Sequence, residues 1–349
     1  MSARAQRRFR GRRVSWLRVA ASLVGGVVLV GVGVAAVAPP LTLPVTGTPM
    51  DQRWLAGYYD VTLDQGAELA QRDLATSRGG AVLAFVVAAS ATDCTATWGR
   101  TYSLDDAATR FDLDRRVERM HREGRPVVVS FGGALNTELA AACGSAADTA
   151  AAYGAVIDRY RVDTIDLDIE GDMLSDRSGW KRRADAVARL QDDRPADDPL
   201  AVWLTLPVSP DGLTADGRDF VAGMLDAGVH VAGVNAMTMN YGIEKPRDLV
   251  EVSERALDAT ASQLSDLWDA AGVDLPAGGV AQLLGATPMV GRNDVPSEVF
   301  TLDDARAFTA FVSERGLARV SMWSLNRDHT CGSNYPFTGT VSPRCSGVE

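Results

Sequence analysis

From residue 51 onward, short apolar runs alternate with stretches of helical spacing, and that alternation leaves few folds open. The eight apolar runs are residues 54–61, 81–89, 126–131, 162–169, 200–206, 229–239, 279–289 and 318–325. Between them, seven stretches rich in Ala, Arg, Asp and Leu carry helical periodicity, at 63–78, 113–123, 147–161, 180–192, 218–227, 249–271 and 302–315. Strand-like runs separated by helix-like ones are the pattern of parallel βα units. Eight of them predict a closed (β/α)8 TIM barrel, a fold of typically about 250 residues before insertions. The open doubly wound sheet is the rival, but no Gly-rich dinucleotide loop follows the first run. Residues 326–349 show no helical period, so the last helix is expected to be replaced by a C-terminal tail.

The segment before the barrel reads differently. Residues 1–18 hold seven arginines and no acid, which leaves 28 basic against 45 acidic residues, a formal −17, for the rest of the chain. An acidic body excludes a dedicated nucleic-acid binder. Residues 19–38 are uncharged and long enough to span a bilayer, whereas the apolar region of a signal peptide is usually about 7–15 residues. The arginines on its N-terminal side favour a cytoplasmic stub with everything after it outside. Ala36-Val37-Ala38 has the small-x-small form of a cleavage site, but Pro39 and Pro40 follow at once. The expected organisation is a basic cytoplasmic stub at 1–18, an uncleaved transmembrane anchor at 19–38, a Pro-rich linker at 39–50 and one barrel at 51–349. Cleavage and secretion is the alternative.

All four cysteines, Cys94, Cys143, Cys331 and Cys345, follow the apolar segment. An even count in an exported domain favours two disulfides. Of the three pairings open, the short loop from Cys331 to Cys345 is the natural one, leaving Cys94 with Cys143 and making the tail disulfide-tied. No Cys-x-x-Cys pair exists, and His121, His230 and His329 are scattered, so no metal site is expected.

The chemistry is concentrated in one run, Val162-Asp163-Thr164-Ile165-Asp166-Leu167-Asp168-Ile169-Glu170. With period two, Ile165, Leu167 and Ile169 face one way and Asp166, Asp168 and Glu170 the other. Three acids directed into a packed barrel interior carry a cost, because buried carboxylates are paired or protonated. Spaced roughly 7 Å apart on one strand face, they should titrate together with at least one pKa raised. Glu170 is outermost, at the C-terminal strand end where barrel enzymes do their chemistry. A carboxylic acid kept protonated near neutral pH can give its proton to a leaving oxygen. A calcium loop would put its twelfth ligand at Arg177, and a solvated acidic edge does not suit the apolar alternate positions.

Asp163-x-x-Asp166-x-Asp168-x-Glu170 resembles the DxxDxDxE signature on the fourth strand of family 18 glycoside hydrolases, the chitinases and their relatives. Ser130-Phe131-Gly132-Gly133, closing the third run about thirty residues earlier, is similar to the SxGG motif of that family. The similarity continues through Met237-Thr238-Met239-Asn240-Tyr241-Gly242, Thr287-Pro288-Met289 and Met322-Trp323-Ser324-Leu325-Asn326-Arg327-Asp328, so it spans nearly all of residues 54–349 and is closest to bacterial chitinase-like members.

The resemblance implies a glycosidase that cleaves β-1,4 linkages in N-acetylglucosamine-containing glycans, chitin or its oligomers, by substrate-assisted retention. It makes Glu170 the general acid/base and Asp168 the acceptor for the acetamido N–H. Asp166 would share a proton with Asp168, and Asp163 would be structural. Trp323 would floor the subsite before the scissile bond, with Tyr58 as its wall and Trp98 as an extension of the groove. No cofactor is implied. The departure lies at Met239-Asn240, where many members carry Tyr-Asp; Met239 cannot donate a hydrogen bond, and Tyr241 is the substitute hydroxyl to consider beside Asn240. An endo-β-N-acetylglucosaminidase acting on N-glycans shares the same sugar chemistry, and a non-catalytic lectin-like glycan binder shares the fold.

Overall fold

The computed structural model describes residues 54–63, 79–243, 248–332 and 341–348. The expected stub, anchor and linker, and nearly all of the expected first helix at 63–78, lie outside the described residues. Among the described residues, no helix is long and apolar enough to cross a membrane.

Eight parallel strands close on themselves. They are β1 (Trp54–Asp60), β2 (Gly80–Ser90), β3 (Val127–Gly132), β4 (Thr164–Asp168), β5 (Ala201–Ser209), β6 (Val231–Met237), β7 (Leu284–Thr287) and β8 (Arg319–Met322). Each pairs in parallel with the next, and β8 pairs with β1, so the barrel leaves none of these strands as an edge. The strands read as continuous apolar runs because most positions are covered on both faces. Outward residues such as Ile165, Leu167 and Ile169 join the core under the helices, whereas Trp54, Tyr58, Val82, Val128 and Trp203 form a separate cluster inside the barrel.

The outer layer is α1 (Leu104–Phe111), α2 (Leu113–Arg122), α3 (Ala146–Tyr160), α4 (Arg177–Asp192), α5 (Ala215–Asp226), α6 (Leu249–Ala270) and α7 (Leu302–Arg315). Two of them start about one turn before the periodic pattern does, and caps explain why. The Asp176 side chain accepts from Gly179 N ahead of α4, and the Thr214 side chain accepts from Gly217 N ahead of α5.

Two segments depart from the expected alternation. Asp93–Trp98 turns back antiparallel on β2 and pairs with Tyr102–Ser103, so a hairpin occupies the second strand-to-helix loop. Only Leu284–Thr287 of the seventh apolar run is extended within the barrel, since Val280–Leu283 is a single 3-10 turn. After β8 no helix follows among the described residues. A Cys331–Cys345 disulfide ties the tail, and Arg327 Nη2 donates to Val290 O at 3.0 Å. The second disulfide joins Cys94 of the hairpin to Cys143.

Candidate active site

At the C-terminal end of the barrel lies a cavity of about 500 Å3. Tyr58, Asp168, Glu170, Asn240 and Trp323, which come from four separate strand ends, all line it. Asp166 lies one layer deeper and is fully buried.

Asp166 is the centre of a polar layer across the barrel interior. Its Oδ2 accepts from Tyr58 OH at 2.9 Å and Ser130 Oγ at 2.7 Å. Its Oδ1 accepts from Thr205 Oγ1 at 2.6 Å and Arg319 Nη1 at 2.6 Å. The same guanidinium donates from Nη2 to Tyr58 OH at 2.9 Å and from Nε to Ser321 Oγ at 2.9 Å. Asn235 Nδ2 continues the layer to Thr205 and Thr287, at 3.0 and 2.7 Å. Four donors, one of them cationic, converge on the Asp166 carboxylate. These groups anchor Asp166 in the layer beneath Asp168. Burial, more than the neighbouring carboxylates, pushes the Tyr58 hydroxyl well above its ordinary range, so it stays a donor.

Asp168 is in the opposite situation. It is buried, and its Oδ1 has no hydrogen-bond partner within the protein. Desolvation pushes its carboxyl well above the usual range; the nearby Glu170 and Asp166 charges add to this, and Arg319 opposes it. Glu170 is half-buried, and desolvation also raises its carboxyl, with the Asp294 charge adding to the effect. The two acids form a coupled pair that favours holding a proton.

A stability consequence follows from the raised Asp168 carboxyl. The folded state stabilises its protonated form, and that contribution is lost as pH rises through the folded-state pKa. Asp168→Asn removes the ionisable group while keeping the shape. The melting temperature of this variant relative to the parent should therefore increase with pH, as read by calorimetry at acidic and alkaline pH. A constant difference would contradict the raised carboxyl.

The motif glycines in front of β4 have a steric reason. Gly132 has φ +107°, and a Cβ there would lie 2.1 Å from Asp168 O. Gly133, at φ +83°, would drive a Cβ to 2.7 Å from the Phe85 ring, and its N–H donates to Asp168 O at 2.9 Å. These glycines let β3 meet the carboxylate strand and seat Phe85 in the cavity wall. Phe85 and Trp323 stack with centroids 5.4 Å apart at 18°, and Tyr58 packs 6.0 Å from Trp323. Behind the following loop, the buried Glu138 carboxylate accepts from Arg183 Nη2 at 2.5 Å and from Ala140 N at 2.8 Å, which ties the loop to α4.

Two aromatic residues lie elsewhere than the sequence implies. Tyr241 does not line the cavity. The strand ends at Met237, Asn240 turns the chain at φ +54°, and Tyr241 OH donates to Ser253 Oγ of α6 at 3.1 Å. Trp98 is fully buried, donating from Nε1 to Tyr160 OH at 3.0 Å, because the hairpin carries it under α3. Asp163, half-buried at the other end of β4, accepts from Thr164 Oγ1 at 2.9 Å. Arg319, Phe85 and Asp294 are site groups with no motif of their own. The period-two pattern of β8 is the one signal that could have found any of them, since it puts Arg319 on the inward face. Among the described residues, no group of three or more His, Cys, Asp or Glu side chains is placed to hold a metal ion.

No family model matches the chain. It is 34% identical over 303 residues to a probable bifunctional chitinase/lysozyme of Escherichia coli, covering 84% of this chain and 32% of that protein. It is 33% identical over 285 residues to endochitinase 11 of Metarhizium anisopliae, covering 78% of this chain and 52% of that one. The chain thus spans about a third of the length of the first curated relative and about half of the second. Active domain 2 of the thermostable chitinase from Pyrococcus furiosus, solved as catalytic-site mutants complexed with chito-oligosaccharides, superposes with a TM-score of 0.71 at 27% identity, over 86% of this chain and 91% of that one. The chain is a family 18 chitinase-like protein. In this family 18 chain, Asp168 and Glu170 of the carboxylate run line one cavity with Trp323, and Gly133 packs against Phe85 of the cavity wall.

Proposed function

We propose that this family 18 chain is an extracytoplasmic glycoside hydrolase that cleaves β-1,4 linkages of chitin or chito-oligosaccharides by a substrate-assisted retaining mechanism. The observation that carries this reading is the unpartnered, buried Asp168 Oδ1 beside Glu170 over an aromatic floor.

A pyranose laid on Trp323 presents its apolar C–H face to the indole. The acetamido N–H of that sugar supplies the donor that Asp168 Oδ1 lacks, and this orients the acetyl oxygen beneath the anomeric carbon. Protonated Glu170 gives its proton to the glycosidic oxygen as that bond breaks and the acetyl oxygen bonds to the anomeric carbon. Asp168 stabilises the positive charge that develops on the resulting oxazolinium. Glu170, now a carboxylate, takes a proton from the water that opens the ring. Asp166, fixed by Arg319, Tyr58, Ser130 and Thr205, keeps Asp168 in register. The two disulfides and the arginine-flanked apolar segment at 19–38 support an oxidising compartment outside the cytoplasm, with the chain anchored by that segment.

Product analysis with chitotetraose and an N-glycopeptide tests the substrate. Cleavage of chitotetraose supports the reading. Cleavage of the glycopeptide alone would make the chain an endo-β-N-acetylglucosaminidase, and binding without cleavage would make it a lectin. Trp323→Ala should raise KM for chitotetraose by about tenfold, through loss of the stacking surface. An unchanged KM would remove Trp323 from the subsite.

A further inference from the structure

Glu170 shares the cavity with a carboxylate that no motif of the sequence marks. Asp294, in the loop between β7 and α7, lines the same wall as Asn240. One amide side chain grips it from both sides. Asp294 N donates to Asn240 Oδ1 at 2.9 Å, Val295 N donates to the same oxygen at 3.3 Å, and Asn240 Nδ2 donates to Asp294 Oδ2 at 3.1 Å. Asn240 can do this because it stands at φ +54°, a left-handed conformation that asparagine tolerates. A second tie lies just behind it. The fully buried Glu298 carboxylate accepts from Tyr241 N at 3.1 Å and Gly242 N at 2.9 Å, so the β6 and β7 loops are clamped to each other twice.

We infer that Asp294, held by Asn240, is a positioning residue that keeps the proton on Glu170 and so sets the alkaline limit of turnover. The inference rests on the reading of Glu170 as the acid. The charged and titratable groups facing the cavity are Asp168 at the end of β4, Glu170 just after it, Asp60 and Tyr58 of β1, and Asp294; among the described residues, no lysine or arginine lines it. The Arg319 guanidinium is engaged with Asp166 and Tyr58 beneath the cavity floor. A fixed negative charge across such a cavity disfavours ionisation of the acid it faces. Burial and the Asp294 charge both push the Glu170 carboxyl up, in that order. The sign of the effect is therefore determined: removing the Asp294 charge makes Glu170 ionise at lower pH, and the general acid is lost earlier on the alkaline side.

The test is the pH dependence of kcat on chitotetraose for the purified full chain, Asp294→Asn and Asn240→Ala. A 13C NMR titration of the Glu170 carboxyl in each, assigned with Glu170→Gln, accompanies it. In Asp294→Asn, the alkaline limb and the Glu170 titration should both move to lower pH. Asn240→Ala should move both the same way by less, because the carboxylate remains but is released. Hydrolysis with either the limb or the titration unmoved in Asp294→Asn overturns the inference and leaves the glycosidase reading intact. A chain that hydrolyses nothing while its Glu170 titration still moves in Asp294→Asn leaves the electrostatic coupling standing and removes the glycosidase reading.

Discussion

Glu170→Gln should lower kcat on chitotetraose by about 10²–10⁴-fold, the usual contribution of a positioned general acid/base, with little change in binding. The glutamine keeps the size and polarity of the side chain but has no proton to give to the leaving oxygen. Glu170, just after β4, is half-buried, whereas Asp168 is buried with its Oδ1 unpartnered, so within the pair Glu170 is the more exposed acid and the one to which the proposed mechanism gives the glycosidic oxygen. Steady-state kinetics together with calorimetric binding checks this. Ordinary turnover in Glu170→Gln would mean that another group is the acid.

The second large effect concerns stability. Arg319→Met should destabilise the fold by about 3–5 kcal/mol, the cost typical of removing one partner of a buried ion pair. Arg319 and Asp166 are both fully buried and 2.6 Å apart, and the guanidinium also lies 4.8 Å from the Trp54 ring and 5.5 Å from the Trp203 ring. Methionine fills much of the volume but leaves the Asp166 carboxylate without a counter-charge. The double variant Arg319→Met, Asp166→Asn should be less destabilised than the sum of the singles, because the orphaned charge is gone. Denaturant unfolding of the four proteins reads the coupling directly. Strict additivity would show that the pair does not act as a unit.

Much of the barrel is legible in the sequence because parallel strands covered on both faces appear as unbroken apolar runs. The acid column of β4 stands out for the complementary reason: carboxylates at alternate positions inside such a run need an explanation that packing cannot give. What escapes the sequence is partnership across the barrel. Arg319 reads as an ordinary charge near the start of the last strand, and its partner Asp166 is 153 positions away. Asp294 falls in a loop where no period applies, and only the left-handed turn at Asn240 brings the two together. That same turn carries Tyr241 to Ser253 of α6, so its hydroxyl does not serve as the substitute considered beside Asn240. Trp98 reads as a groove residue because it follows the second strand; the hairpin that buries it has no signal in the hydrophobic pattern strong enough to separate it from a loop.

The most direct test of the central claim is time-resolved 1H NMR of chitotetraose incubated with the purified chain. It reads bond cleavage and the anomeric configuration of the first product at once. If Glu170 and Asp168 work with the substrate's own acetyl group, the tetramer is cut and the β-anomer appears first, before mutarotation. If the tetramer stays intact while it binds, or the α-anomer appears first, the proposed mechanism is contradicted.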